Sequence, residues 1–587
     1  MTPQTPPLRP AWLRAVGLVS LALGLSVFAW WPMLAAYPKT ETYEGPYLQQ
    51  ALEAARVSVV RYHELPLWNT FNCGGVPLWD NPQGFIATPL VWPLLLAFDT
   101  TRVLSIWYVG HVAIGFVCMW ILARHELGLS REGTFVAAGM WAFSGIHSLQ
   151  FTGTGFHWAA SMYMPLAIFL WRRAERDLRA AAGLAILMSL EFYGGAVYPI
   201  MLTTVMLLGE TLTRVWQPAR MKGIARAACV AGLWAFLLSA ARLIPVIYQS
   251  SAHKRGLPVE TDALDWTTLK DMFLARTHTR EIPGHTYLWP EFGNYVGPLL
   301  LGLALIGLLT GAPSHVWVLV TLVWVFGFML GHAGRWAPWH LLNAHVFPFK
   351  DMRVPSRFTT PVGLFLALFA GVGVDRIERM TLFVTRQRRV ANAAHLAALG
   401  IGLVGVGDLC TAGYHWIADS YNGPPLKRTS PAAHLYLEGP RLASFVDQPR
   451  QNRGRFECWE EWGWERGAPL WPGDVPQARA TDPTTGAVTG VSRTTNTFTA
   501  DIVASAPTRV RFNTSFDLAW RTSVGNVVED DRVLGVDFPA GSHHVVVKYW
   551  PRGLTAGFIL SGAGVLSVTA YFVVPGVKRR RRRARER

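Results

Sequence analysis

Long apolar runs recur along the 587 residues, separated by polar and basic connections. A membrane-spanning helix takes about 20 mostly apolar residues. Runs of that kind lie near 12–36, 103–123, 132–150, 156–171, 178–195, 198–213, 223–248, 294–311, 315–331, 357–375, 391–411 and 553–574. The run 85–98 is shorter and carries Pro89 and Pro93, which predicts an interfacial or re-entrant segment. Met33-Leu34-Ala35-Ala36 resembles a signal-peptide cleavage site, but the first run is long and more spans follow, so an uncleaved anchor is expected. Between 412 and 552 the pattern changes. Val510 and Phe512 alternate with Arg509 and Arg511, and Val545, Val547 and Tyr549 alternate with His544, Val546 and Lys548. This period-two patterning, with turn chemistry at Thr484-Thr485-Gly486 and Pro539-Ala540-Gly541, predicts a β-sandwich-like module.

The expected fold is a polytopic α-helical membrane protein of about twelve transmembrane helices, with an extracytoplasmic β-rich domain before the last helix. Residues 1–411 would form the multispan domain, with a first outer loop at 37–102. Residues 412–552 would form the β-rich domain, and 553–587 the final span and its tail. No repeat period of 20–50 residues is apparent.

Composition narrows the class. Hydrophobic residues make up 51% and charged residues 16%, against about 25% charged in soluble domains. That excludes a disordered, collagen-like or coiled-coil chain and weighs against a soluble multidomain enzyme. Twenty-six Trp and thirty Phe suit a chain that meets lipid interfaces. The net charge of +16 first suggests nucleic acid, but eight positive charges sit in the tail 578–587, directly after an apolar run. There they read as a cytoplasmic anchor at anionic lipid, with no nucleic-acid role.

An even span count places both termini on one side. The short loops on that side carry Arg124, Arg131, Arg172, Arg173, Arg176, Arg179, Arg214, Arg220, Lys222, Arg376, Arg379, Arg386, Arg388 and Arg389, as the positive-inside rule requires of a cytoplasmic face. Segments 37–102, 249–293, 332–356 and 412–552 would then face outward. The expected location is a cytoplasmic membrane.

Candidate chemistry gathers at the outer boundary. Glu41 and Glu44 follow the first span, where a carboxylate is placed to take a proton from an incoming hydroxyl; the plainer reading is a solvated acidic loop. Trp68 and Asn69 precede Cys73-Gly74-Gly75, a stretch that also fits an ordered loop packed on the bilayer surface. Cys73 and Cys458 both lie in outward segments, where an oxidising compartment would allow a disulfide. Glu191 and Arg242 lie in or at the ends of apolar runs, and either line a polar cavity or pair with each other. Arg353 and Arg357, four residues apart at an outer boundary, suit a lipid-linked phosphate, with snorkelling to headgroups as the simpler alternative; the outward segment 249–293 carries Trp289-Pro290-Glu291. No Walker A, GxSxG or HExxH motif is present, and no GxGxxG follows a strand. A divalent metal is left open, with Glu41, Glu44 and Asp80 as its only candidate ligands.

Three stretches in order carry a resemblance. Pro66-Leu67-Trp68-Asn69, Cys73-Gly74-Gly75-Val76-Pro77 and Asn81-Pro82-Gln83 resemble the first-loop signature of YfhO-like bacterial membrane proteins. So does Met352-Arg353-Val354-Pro355-Ser356-Arg357-Phe358, leading into a span that ends Gly371-Val372-Gly373-Val374-Asp375. Phe538-Pro539-Ala540-Gly541-Ser542-His543-His544 and Tyr549-Trp550-Pro551 resemble the C-terminal end of that family. The resemblance covers most of the chain, least at 420–500. It implies a GT-C-fold glycosyltransferase that takes a sugar from a polyprenyl-phosphate carrier at the outer membrane face and passes it to an envelope glycan, lipid or protein. It also implies an acidic catalytic residue early in the first outer loop, before the helix containing Glu53-Ala54-Ala55-Arg56. Glu44 falls nearest that position and Glu41 next, where the family shows Asp. Arg353 and Arg357, with Arg242, would hold the phosphate, and Glu191, Trp68, Asn69 and Glu291 would line the site. A transporter and a non-catalytic envelope-biogenesis protein that binds lipid or glycan are the rival expectations.

Overall fold

The structure is a computed structural model and describes residues 11–42, 45–153, 155–253, 264–277, 281–282, 285–346, 349–437, 445–456, 458 and 470–585. Every expected span falls on helical structure. Among the described residues, seven helices are long and apolar enough to cross a membrane: Trp12–Ala29, Thr100–Glu126, Pro218–Ala252, Gly297–Ser314, Pro355–Thr385, Arg388–Ser420 and Leu554–Val573. The chain is a multi-pass membrane protein. Val197–Leu212 and Val316–Met329 are apolar but shorter. The expected spans 132–150 and 156–171 are built from short pieces, while 178–195 is the single 16-residue helix Leu178–Tyr193. The first breaks at Ser144 into Arg131–Phe143 and Gly145–Gly153, because the Gly145 N–H donates to the Tyr295 carbonyl (2.8 Å) instead of continuing the helix ladder. The second opens as a 3-10 helix, Phe156–Tyr163, before Met164–Ala174. Within 85–98 the only helix is Trp92–Ala97, started by Pro93 in its first turn.

Small residues let helices meet along their backbones, as lipid-embedded packing favours. A Cβ on Gly307 would fall 1.9 Å from the Phe369 carbonyl, and one on Gly373 2.1 Å from that of Leu303, so Gly297–Gly311 and Thr359–Thr385 touch main chain to main chain. Leu554–Arg585 lies against Pro218–Ala252 in the same way. A Cβ on Gly557 would come within 2.5 Å of the Ala240 carbonyl, and the Ser561 hydroxyl donates to the Leu237 and Leu238 carbonyls (3.0 Å each). Pro245, inside Pro218–Ala252, has no N–H for the Ala241 carbonyl. The Trp79 indole of the first outer loop supplies that missing donor at 3.0 Å.

The β-rich region consists mainly of two four-stranded antiparallel sheets. One runs Asn526–Asp530, Val533–Phe538, Thr508–Ser515, Ala478–Ala480; the other runs Gly486–Arg493, Thr497–Ala504, Gly541–Tyr549, Trp520–Thr522. Val510 lies opposite Val536, and Val547 opposite Phe498, so the apolar alternation read from the sequence makes the buried faces. Their outward neighbours Arg509 and Arg511 hold Asp537 and Asp530 through paired hydrogen bonds of 2.6–3.0 Å.

The four segments expected to face outward gather at one end. Trp68 donates its N–H to Asn496 (3.0 Å) and its indole to Thr514 (3.2 Å), and Cys73 is disulfide-bonded to Cys458. Gln249, at the end of Pro218–Ala252, donates to Asp517 (3.0 Å), while Thr40 and Thr42 donate to the Pro424 and Ser420 carbonyls. Other charged networks hold the connections between spans. Arg172 and Arg173 grip Glu126, Arg172 and Arg214 meet on Glu210, and Arg214 reaches Glu175. Asp375 accepts the Ser130 N–H at 2.8 Å.

Candidate functional site

The arginines of the sequence motif come together with Glu291. Pro355–Phe358 forms a 3-10 turn, with proline at its start, that leads directly into the helix Thr359–Thr385. That turn buries Arg357, 4% exposed, and aims its guanidinium at the turn Trp289–Glu291. Arg357 donates Nε to Glu291 Oε2 at 2.5 Å and a terminal nitrogen to Glu291 Oε1, a two-pronged carboxylate grip. The guanidinium also stacks on Tyr198, 3.8 Å from the ring centre, with Trp158 at 5.4 Å. Ser356 ties the two turns by donating to the Glu291 carbonyl at 3.0 Å.

Arg353, 5% exposed, lies over the Tyr287 ring at 5.4 Å and adds a second positive charge beside Glu291. Burial alone would raise the Glu291 pKa, but the charges and hydrogen bonds of Arg357, then the charge of Arg353, bring it below the usual carboxylate value. Two cations and one anion leave this cluster with a net positive charge.

Glu41 is 1% exposed and follows the first span and the short helix Trp31–Ala36. The flanking Thr40 and Thr42 are pinned to 420–424, which fixes its backbone. Its carboxylate lies against the first residue of the helix Gly45–Tyr62, where a Cβ on Gly45 would stand 2.0 Å from Oε2. The Tyr421 hydroxyl is pushed well above its ordinary pKa by burial and then by the Glu41 charge, and that charge also reaches Tyr108. Glu44, the first-ranked acid of the sequence reading, lies outside the described residues.

The charge of Glu41 acts on Tyr108, and packing leads from Tyr108 toward the arginines. Tyr108 stacks on Phe151 with ring centres 5.3 Å apart, and Trp30 lies 5.6 Å from the same ring. The next residue, Gln150, donates to the Pro290 carbonyl at 2.6 Å, one residue before Glu291. Leu48, one turn into the helix that begins at Gly45, packs on the backbone of Gly155 beyond the same corner. Gln150 and Phe151, in the helix that follows the break at Ser144, thus link Tyr108 to the turn carrying Glu291.

Other expected site residues occupy structural positions. Arg242 does not pair with Glu191. It donates to the backbone carbonyls of Phe192, Asn81 (3.1 Å) and Pro82 (2.9 Å), pegging the first outer loop onto the helix Pro218–Ala252. Glu191 is fully buried beside Thr203 and Tyr163. Trp68 is enclosed by Trp520 and Tyr549, and the Asn69 amide donates to Gln50 at 2.9 Å, so both hold the loop to its surroundings. Of the candidate metal ligands Glu41, Glu44 and Asp80, Glu44 lies outside the described residues. Asp80 meets Tyr549 at the β-rich region, Glu41 answers to Tyr108 and Tyr421, and among the described residues no three His, Cys, Asp or Glu side chains form a cation site. The sequence does not single out Tyr198, Trp158 or Tyr287, because an aromatic residue carries no sign of which cation it will meet, nor Gln150 and Tyr108, whose partners Pro290 and Phe151 are set by the fold.

No protein-family model matches the chain, and no curated protein matches it. Among solved structures it is similar to the arabinofuranosyltransferase AftD from Mycobacteria, with 16% identity, 69% of this chain and 27% of that chain covered, and a TM-score of 0.45. It is similar to an Archaeoglobus fulgidus oligosaccharyltransferase tethered to an acceptor peptide, with 10% identity, 76% and 64% covered, and a TM-score of 0.43. It is also similar to ArnT from Cupriavidus metallidurans bound to undecaprenyl phosphate, with 13% identity, 75% and 86% covered, and a TM-score of 0.38. The chain spans about a quarter of the AftD length and under two thirds of the oligosaccharyltransferase. At TM-scores below 0.5 these likenesses assign it neither a fold family nor a substrate.

Proposed function

We propose that this protein is a GT-C-type membrane glycosyltransferase. It would move a sugar from a polyprenyl-phosphate carrier to an envelope acceptor at the outer face of a bacterial cytoplasmic membrane, using about twelve spans with both termini inside. The observation that carries this reading is the buried cluster of Arg353, Arg357 and Glu291, together with a second buried carboxylate, Glu41, whose charge acts on Tyr108, the residue stacked on Phe151 beside Gln150. The sequence resemblance to YfhO-like proteins supports it. The Cys73–Cys458 disulfide supports an outward orientation for the end that carries the site, since such bonds persist in oxidising compartments.

In this reading the bond between the anomeric carbon and the phosphate oxygen breaks, and a bond from the acceptor oxygen to that carbon forms. The phosphate departs with additional negative charge, which Arg353 and Arg357 stabilise. Glu291 and Tyr198 hold Arg357 in one orientation, so its positive face is set before the charge develops. Glu41 takes the acceptor hydroxyl proton. Glu44 is the second candidate for that proton.

A transfer assay tests the proposal. Purified protein in lipid is given radiolabelled polyprenyl-phosphate sugars and an envelope extract, beside Glu41→Gln, Glu44→Gln and Arg353→Ala. Label moved to the extract by wild type, lost in one acid variant and reduced in Arg353→Ala, supports it. Absence of transfer from every donor by folded protein would refute the enzyme and turn attention to a transporter or a lipid- or glycan-binding protein. Transfer at the wild-type rate in both acid variants would refute the base assignment.

A further inference from the structure

Apart from the arginine and Glu41 site, the first outer loop and the segment that follows the helix Arg388–Ser420 enclose a groove of about 420 Å³. That is within the size range of small-ligand sites. Its lining combines Arg56, Arg61 and Arg450 with Val57, Val60, Pro431 and Pro449.

The three guanidiniums are held differently. Arg61 donates to the Ser430, Pro431 and Ala432 carbonyls at 2.9–3.0 Å, which fixes its charge at the groove wall. Arg450 donates to Glu53 (2.9 Å) and to the Lys427 carbonyl (2.9 Å). Arg56 donates only Nε, to the Leu95 carbonyl at 3.1 Å, and among the described residues its two terminal nitrogens carry no hydrogen bond. The carboxylate of Glu53 is fully buried and already holds Arg450 and the Thr100 hydroxyl. The groove therefore keeps a surplus of positive charge, and the exposed Lys427 and Arg428 extend it.

Position says what kind of anion fits. Leu95, the partner of Arg56, belongs to the short helix Trp92–Ala97, in which Leu96 is an exposed apolar side chain, as are Leu90 before it and Phe98 after it. Val60 is also half exposed at the groove. An apolar surface of this kind beside fixed guanidiniums matches an amphiphile with a negative head: the planar arginine fork takes phosphate oxygens and the valines take the adjoining carbons.

The geometry points to this groove as a binding site for the phosphodiester headgroup of an anionic phospholipid, with Arg56 as the main contact, Arg61 and Arg450 as flanking charges, and Val57 and Val60 against the glycerol and upper acyl carbons. It seats the first outer loop on the bilayer surface. The site is independent of the glycosyl-transfer proposal, and its test reads binding alone.

The full-length protein in detergent is titrated with dioctanoyl phosphatidylglycerol, dioctanoyl phosphatidylcholine and inorganic phosphate, and bound ligand is counted by native mass spectrometry. The expected result is one retained phosphatidylglycerol, with the other two probes at least about tenfold weaker. Arg56→Gln should weaken phosphatidylglycerol about tenfold, as loss of a charge-assisted contact implies. Val60→Trp, which fills the groove without changing charge, should weaken it to a similar degree. Unchanged phosphatidylglycerol binding in Val60→Trp or in folded Arg56→Gln would overturn the site. Equal binding of phosphatidylcholine would overturn headgroup selection, and equal binding of inorganic phosphate would make this a free-anion site instead of a lipid site.

Discussion

The Tyr549 hydroxyl donates to both carboxyl oxygens of Asp80, at 3.1 and 3.3 Å, joining the last residue of a β-strand to the first outer loop. Burial first, and then the neighbouring Asp517 charge, hold the Asp80 pKa well above its ordinary 3.8. Asp80 therefore keeps a proton in the folded protein at pH values where the unfolded chain has lost it. Its contribution is present at low pH and is lost as pH rises toward the folded pKa, by about 1.4 kcal/mol per pH unit inside that window. Asp80→Asn should remove this slope and equal or exceed wild-type stability at the upper end of the window. Thermal unfolding followed across pH checks it, and a variant that loses stability in parallel with wild type would refute the assignment.

His434 should give the opposite slope. It is buried between Phe71 and Tyr436, and burial, then the nearby Arg493, lower its pKa well below 6.5. The unfolded chain takes up this proton first, so stability is lost as pH falls from about 6.5 toward the folded value. His434→Phe, which keeps a ring in place, should flatten the acid side of the profile in the same unfolding experiment.

Arg357 and Glu291 should behave as a coupled pair. Removing either partner leaves a buried charge without compensation, at a cost of about 3–5 kcal/mol. Arg357→Met together with Glu291→Leu should cost at least 1 kcal/mol less than the sum of the single changes, roughly the scale of coupling between contacting residues. Unfolding of the four proteins in a double-mutant cycle reads the difference.

Cys73 and Cys458 are 385 residues apart in sequence and close in space. Cys73→Ser should lower stability by about 2–4 kcal/mol. A reducing agent should lower the Tm of wild type and leave that of Cys73→Ser unmoved. The free cysteines Cys118, Cys229 and Cys410 do not supply this response.

Gly45→Ala probes the Glu41 assignment without altering charge. The added methyl would stand 2.0 Å from Oε2, so the carboxylate must shift. Displacement of a reacting group by about 1 Å can reduce rate about a hundredfold. Sugar transfer should fall by that order while far-UV circular dichroism stays the same. Full transfer in Gly45→Ala would place the proton acceptor elsewhere, with Glu44 next in line.

Much of this architecture can be read locally. Apolar runs mark the helices because a span must satisfy its own backbone hydrogen bonds. Val510, Phe512, Val545 and Val547 alternate because one face of each sheet is buried. The break at Ser144 is silent in sequence, since its cause is the Tyr295 carbonyl about 150 residues away. The same holds for Trp68 with Thr514, Arg450 with Glu53 and Arg357 with Tyr198. The motif around Arg353 and Arg357 could be singled out by its chemistry. That Glu291 would fill the Arg357 fork, and that Arg242 would bind carbonyls instead of Glu191, depends on which chain ends meet.

The seam between Ser561 and the Leu237–Ala241 turn joins residues 320 positions apart. At about 5–20 residues per second, a ribosome needs roughly 16–64 s to travel that distance. Throughout that interval the Leu237–Ala241 face of the earlier helix lacks the helix that will cover it, while the β-rich region is translated. Closure of the seam is then a late event in biogenesis. Slow or faulty folding of the sheets would leave an unfinished membrane interface for quality-control proteases to recognise.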